Sequence, residues 1–416
     1  MALAESVHAV WLHDRRVGTI YQRGDYTRFT LGEAYRTDPD RPVLGLLFEQ
    51  DLSAVHAAAL RLPAWFSNLL PEGRLREWIA EDRGVSPHRE MELLAQVGHD
   101  LPGAVRVLPA QVRPEKVTWD AAAHADEPSS AFETADAHPR WRFSLAGVAL
   151  KFSMLAVDDR LSLPAFGEGG DWIVKLPDLQ YPDVPRNEYA MMSLAAAVGI
   201  DVPEIQLIHR DDLEGLPAGI WPGKEEWAYA VRRFDRDEHR RPIHIEDLAQ
   251  VRNVYPVAKY DGNYETVAAL VYRRHDVEAL REFARRLAFT ILISNGDAHL
   301  KNWSLIYRDV RIPTLSPAYD LVATAPYRSY MDGRPETLAL KFGGSRRLNF
   351  AKLTTFVRLQ RRLSASTADL AGCVSDLVER VRVNWPRYAD RLRDSPMLQK
   401  GITASIEENS RSLMGH

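Results

Sequence analysis

The sequence predicts an α/β chain of the α+β kind, with strand-rich modules first and a mostly helical region closing the chain. Three observations carry this expectation. Short apolar runs bounded by turn residues recur up to about residue 243. Residues 110–140 are rich in Ala, Asp, Glu and Pro, show no clean period, and divide those runs into two groups. Beyond about residue 244 the apolar residues fall instead at three- and four-residue spacing.

Within residues 1–109, Val10-Trp11-Leu12 and Val17-Gly18-Thr19-Ile20-Tyr21 flank the charged His13-Asp14-Arg15-Arg16, which predicts a hairpin. Val43 to Phe48 is nearly continuous and apolar and reads as a third strand. Leu75, Trp78 and Ile79 share a helical face over Pro71 to Ile79, and Gly98 to Leu108 reads as a loop returning to a strand. These runs make a small α/β module, with residues 110–140 as the linker behind it. Residues 141–243 follow the order strand–strand–helix–strand–strand. Phe143 to Leu155 holds two apolar runs around a small-residue turn, and Asp171 to Leu176 is a short β-rich run. Tyr189, Met192 and Ala196 then lie at helical spacing, with Asn187 as the expected cap and Gly199 as the stop. Ile205 to His209 and Trp227 to Phe234 add two strands, giving a small lobe on an antiparallel sheet. In residues 244–416 the stripe Leu280, Phe283, Leu287, Ile291 marks a helix. It becomes apolar all round at Leu287–Ile293, so its end should be buried, and it runs directly into Ser294–Asn302. Long helices are expected over 351–415.

The 416 residues leave room for two or three domains of roughly 100–200 residues each. A net charge of −4 argues against a global basic field that recruits nucleic acid or acidic lipid, so any DNA contact should be local or made through a partner. The single cysteine, Cys373, excludes a disulfide framework and fits a reducing compartment. There is no signal-peptide pattern and no apolar run of about 18 residues, so a soluble, cytoplasmic protein without membrane contact is expected. Thirteen scattered histidines without H-E-x-x-H argue against zinc chemistry, and the lack of G-x-S-x-G against a hydrolase elbow.

The chemistry concentrates in Ser294-Asn295-Gly296-Asp297-Ala298-His299-Leu300-Lys301-Asn302. An Asp followed five residues later by an Asn is the spacing of a protein-kinase catalytic loop, where Asp297 would handle the attacking hydroxyl's proton and Asn302 would bind a metal. Asn-Gly and Gly-Asp also favour ordinary turns, so the motif needs company. Asp320 supplies it, lying 18 residues after Asn302, where a hard-oxygen ligand for Mg²⁺ is required. Upstream, Lys175 sits inside an apolar strand and Glu188 follows 13 residues on, in the first turn of the next helix. In kinases such a lysine holds the α- and β-phosphates and pairs with a helix glutamate; alone it would read as an edge-strand lysine facing water. No G-x-x-x-x-G-K-[ST] occurs, which excludes a Walker-type site. The candidate phosphate turn is Ser144 to Lys151, whose small residues around Gly147 could offer backbone N–H groups to a phosphate or form a plain hairpin.

SLAGVALKFSM, WIVKLP, VPRNEYAMMSLAAAVGIDVP, RRFDR with IHIEDLAQ, NGDAHLKNWSL, LSPAYDLVAT and LALKFGG occur in this order, after WFSNLLPEGRLRE and VGHDLPGAVRV. Together they closely resemble the HipA family of bacterial toxin kinases over about residues 10 to 390. The resemblance implies a bilobal protein-kinase-like fold: a β-rich N-lobe (141–243) carrying an extra small N-terminal α/β subdomain (1–109), and a mostly helical C-lobe (244–416). It implies an ATP- and Mg²⁺-dependent serine/threonine kinase, the toxin of a pair whose helix-turn-helix antitoxin, HipB-like, makes most of the contact with operator DNA. It further implies an aminoacyl-tRNA synthetase as protein substrate. Carried over by position, Asp297 is the catalytic base, and Asn302 and Asp320 are the metal ligands. Lys175 contacts ATP with Glu188 as its ion-pair partner, and Arg232 to Phe234 form the hinge against adenine. Ser144, Gly147, Lys151 and His299 complete the implied nucleotide site. Ser144 also matches the family's autophosphorylated serine, whose modification switches the enzyme off. Ala149 departs from the family's frequent Gln, which bears on the phosphate-turn contacts. A phosphoserine at Ser144 would bring about −1.5 to −2 charge into the turn that receives ATP, and so repel nucleotide. The same Lys, Asp and Asn logic would serve a small-molecule or lipid kinase, and a catalytically silent co-repressor would keep only the partner surface.

Overall fold

The computed structural model describes residues 5–110, 151–157, 160–162, 170–216 and 219–415. The chain divides into two compact units, each assembled from three separated stretches. The first unit holds Met1–Ile173, Asp235–Pro256 and Ile306–Pro313, and the second Val174–Phe234, Val257–Leu305 and Thr314–His416.

The first unit is organised by a five-stranded antiparallel sheet. Its strand order is His56–Ala59, Tyr26–Leu31, Arg15–Arg23, Glu5–Leu12, Val105–Pro109. The expected hairpin turns at His13 and Asp14, with His13 in the left-handed region at φ 53°. The pairing is tight because Gly18 has no side chain: a Cβ there would lie 2.5 Å from the Thr30 carbonyl. Phe29, Phe48, Trp65 and Phe66 form the aromatic centre of the core, with Phe29 and Phe66 rings 4.7 Å apart.

Val43 to Phe48 is not a strand. It is an irregular segment whose apolar residues plug the core: Leu44 is fully buried, and Val43 N donates to the Val310 carbonyl at 2.8 Å. The run is apolar because it is buried, a signal that does not distinguish strand from loop. The strand that pairs with Arg15–Arg23 is Tyr26–Leu31 instead.

Residues 235–256 are built into this unit, although composition places a break near 243. Glu246 Oε1 accepts from Leu46 N (2.9 Å) and Tyr307 OH (2.5 Å), and its Oε2 accepts from Trp65 Nε1 (3.2 Å). Asn68 Nδ2 donates to the Val254 carbonyl at 2.7 Å, and Gly103 N donates to Asp235 at 2.8 Å. Such bonds satisfy buried polar groups that would otherwise carry a desolvation cost.

In the second unit, the strands Ile205–His209 and Trp227–Arg232 pair antiparallel, with Tyr229 opposite Leu207. The helix expected to start at Asn187 spans Val184–Ala197, with Asp183 at its N-cap position and Pro185 in the first turn. Asn187 is therefore not a cap. Fully buried, it donates to the Ala323 carbonyl (2.9 Å) and accepts from Ala323 N (3.1 Å), fixing the chain just beyond Asp320. The helix Val277–Leu292 is capped by Asp276, which accepts from Ala279 N, and buries Leu280, Phe283, Leu287 and Ile291 as its stripe requires. Its C-terminal end is held by Asn409 of the last helix, Pro396–Met414. Asn409 Nδ2 donates to the Ile291 carbonyl (2.8 Å) and to Ser294 Oγ (2.9 Å). Among the described residues, no helix is long and apolar enough to cross a membrane.

Candidate active site

The buried end of Val277–Leu292 delivers a rigid loop. Ser294 turns the chain at φ 52°, and fully buried Asn295 then bonds in two directions. Its Oδ1 accepts from Asp297 N at 2.9 Å, and its Nδ2 donates to the Asp320 carbonyl at 3.3 Å, so one amide ties the loop to the second aspartate. Gly296 N donates to Thr324 Oγ1 at 2.7 Å, and Thr324 in turn donates to Glu336 at 2.6 Å. A side chain at position 296 would clash, since its Cβ would stand 2.8 Å from the Thr337 carbonyl and 2.4 Å from Glu336 Oε1. Asn302 closes the loop from the far end, its Nδ2 donating to the Asp297 carbonyl at 2.9 Å.

Asp297 accepts a hydrogen bond from Tyr260 OH at 2.5 Å. Burial pushes its carboxyl above the ordinary range. The Tyr260 bond and the Lys259 charge pull it back, while Asp320 and Glu336 reinforce the upward shift. His299 is buried, with its ring edge-on to Tyr260 at 5.1 Å.

Lys175 ends the strand Trp172–Lys175. Its Nζ donates to Glu188 Oε1 at 2.6 Å, and it also pairs with Asp320 Oδ1. Burial works against the ammonium, but the carboxylates of Asp320 and Glu188 outweigh it and hold Lys175 protonated. Asp320 takes the left-handed region at φ 56°, a conformation costly for a non-glycine residue and characteristic of functional sites. Tyr229 lies beneath Lys175, its ring 5.7 Å from Nζ.

Lys175, Glu188 and Asp320 thus meet directly, and Asp297, His299 and Asn302 share one loop that Asn295 joins to Asp320. Phe234 stands 5.5 Å from the Tyr319 ring, beside Asp320. The Arg232 side chain is turned elsewhere, exposed and salt-bridged to Glu204 at 3.2 Å. Lys151 begins the strand Lys151–Val157 of the first unit, and Ser144 and Gly147 lie outside the described residues. Tyr260 and Glu336 are not singled out by any motif, and Asn295 stands in the loop segment without a role of its own. Asn295 is within reach, as a polar residue two positions after the apolar helix end at Ile293. Tyr260 and Glu336 carry no local signal, because they reach the loop from 37 and 39 positions away.

Asn302 and Asp320 line one cavity together with Asn295, Thr290 and Tyr319. Among the described residues no group of three or more His, Cys, Asp or Glu is placed to hold a metal ion, and Asn302 and Asp320 present one amide oxygen and one carboxylate to that cavity. That donor set fits Mg²⁺, which commonly takes one or two carboxylates and completes its shell with substrate phosphates and water.

A strand lysine clamped between a helix glutamate and an aspartate, behind a helix-borne Asp-x-x-x-x-Asn loop, defines a protein of the kinase-like fold class. The chain belongs to the HipA family: the HipA N-terminal domain matches residues 8–108, and the HipA-like C-terminal domain matches residues 143–385. It is 42% identical over 386 residues to "Putative kinase Y4dM" of Sinorhizobium fredii, covering 90% of each chain. It is 27% identical over 295 residues to the serine/threonine-protein kinase toxin HipA of Shewanella oneidensis, covering 63% of each. Its fold is shared with the solved complex of Shewanella oneidensis MR-1 HipA, HipB and operator DNA. There the TM-score is 0.72 at 19% identity, over 98% of this chain and 97% of that one.

Proposed function

We propose that this protein is an ATP- and Mg²⁺-dependent serine/threonine protein kinase, the toxin of a toxin–antitoxin pair. The observation that carries the proposal is Lys175 bonded to both Glu188 and Asp320 in the unit whose loop presents Asp297 and Asn302. Protonated Lys175 supplies positive charge for phosphate oxygens, and Glu188 fixes its position. Asp297 accepts the proton of a seryl or threonyl hydroxyl as that oxygen bonds to the γ-phosphorus and the bond to the ADP oxygen breaks. A Mg²⁺ held by Asn302 and Asp320 would neutralise the charge on the phosphates. The loop's internal bonds keep Asp297 in place without reorganisation, which is where positioning lowers a barrier.

Family membership supports the rest of the reading: a cytoplasmic protein paired with a helix-turn-helix antitoxin, which makes most of the contact with operator DNA. It also supports an aminoacyl-tRNA synthetase as substrate. Phosphate on Ser144 would switch the enzyme off by repelling nucleotide. The test is transfer of labelled γ-phosphate from Mg²⁺-ATP into a bacterial lysate by wild type and by Asp297→Asn, with the sites mapped by mass spectrometry. A labelled synthetase and a labelled Ser144, both lost in the variant, are expected. Equal labelling by both proteins, or none by either, would sink the kinase reading.

A further inference from the structure

We infer that Tyr260 is a positioning residue for Asp297, a role that rests on the kinase reading above. A carboxylate has two oxygens, and a general base works only when one of them faces the hydroxyl it must deprotonate. Rotation about the terminal torsion of Asp is broad and soft, so packing alone fixes it poorly. The Tyr260 hydroxyl donates to Asp297 Oδ1 at 2.5 Å, which sets the plane of the carboxylate and leaves Oδ2 for the incoming hydroxyl. The loop's other bonds to Asp297 are to its backbone: Asn295 holds its N–H and Asn302 its carbonyl. Those contacts place the Cα; the Tyr260 contact orients the side chain.

Tyr260 is itself anchored, as a positioning group must be. Its carbonyl accepts from Arg346 Nη2 at 2.6 Å. Its ring meets the buried His299 ring edge-on at 5.1 Å, within the same loop it serves. The carbonyl of the preceding Lys259 accepts from Leu300 N at 3.1 Å, and the Lys259 ammonium lies 5.7 Å from the Tyr260 ring centre. The dipeptide Lys259-Tyr260 is thus stitched to the loop by main chain, ring and hydroxyl together. A phenol held on so many sides is a fixture of the site, in contrast to a stand-in that a substrate hydroxyl would displace. The two roles predict opposite outcomes: loss of a fixture slows transfer, whereas loss of a stand-in speeds it.

The test is Tyr260→Phe, which removes only the hydroxyl and keeps the ring against His299. Transfer of γ-phosphate to lysate proteins would be followed at varied Mg²⁺-ATP, alongside ATP affinity and melting temperature, with wild type and Asp297→Asn in parallel. A hydrogen bond to a charged group corresponds to a fall in kcat of roughly ten- to a hundredfold. KM for ATP and ATP affinity should remain those of wild type. An unchanged or raised kcat would overturn the inference and leave the kinase reading standing. A fall in kcat accompanied by weaker ATP binding would also overturn it, by assigning Tyr260 to packing. A wild type that transfers no phosphate would remove the kinase reading and this inference together.

Discussion

Lys175 shows how one residue ties stability to chemistry. Its side chain is 14% exposed and that of Glu188 only 5%, so both charges have left most of their water behind. Each is tolerated because the other is there, and Asp320 adds a second counter-charge. A buried pair of this kind adds little over an apolar pair of equal volume, but removing one partner strands the other. Lys175→Met should therefore abolish ATP binding and also destabilise the protein by about 3–5 kcal/mol. Thermal unfolding and nucleotide titration would check this together. A variant that unfolds at the wild-type temperature would mean that Glu188 is not buried against its charge.

At the scale of elements, the loop depends on where a helix stops. At the end of Val277–Leu292, Asn409 of Pro396–Met414 adds a bond to the Ile291 carbonyl, which also accepts from Ser294 N, while holding Ser294 Oγ. Ser294 opens the loop, so a residue 115 positions away sets where Asp297 begins its approach. Asn409→Ala should lower stability by about 1–3 kcal/mol by removing its bonds to the Ile291 carbonyl and Ser294 Oγ. Transfer activity should fall as well, because the loop loses its fixed start. Denaturation midpoints and initial rates would measure both, and full activity at reduced stability would show that the loop does not need this anchor.

The first unit as a whole is reported by Glu246, which joins residues 46, 65 and 307 through three hydrogen bonds and faces no cation in them. Burial pushes its carboxyl up from 4.5 to about 7; bonds from Tyr307, Leu46 and Trp65 only partly oppose this, and Asp247 adds to it. Between those values the native protein holds a proton that the unfolded chain has lost. Stability from this group is therefore fully present below about pH 4.5 and is lost as pH rises through about 7. The wild type should lose up to about 3 kcal/mol from this source between pH 4.5 and 8. Glu246→Gln, which cannot titrate, should flatten that part of the curve. Parallel unfolding series at several pH values would test it, and identical slopes in both proteins would refute the assignment.

What depends on neighbours along the chain is legible in the residues alone. The stripe from Leu280 to Ile291 specifies a helix, and Gly199 ends another at φ 88°. The spacing of Asp297 and Asn302 closes a loop on itself through a five-residue bond. These features repeat at the period of the backbone, so composition and spacing reveal them. Three features emerge only from the fold: Val43–Phe48 is a core plug, Asn187 fixes the chain after Asp320, and Tyr260, Asn409 and Glu336 converge on the loop. Each of these rests on contacts between residues far apart in the chain. A buried apolar run or a buried amide looks the same in sequence whatever it packs against, and its partner is settled only when the whole core closes.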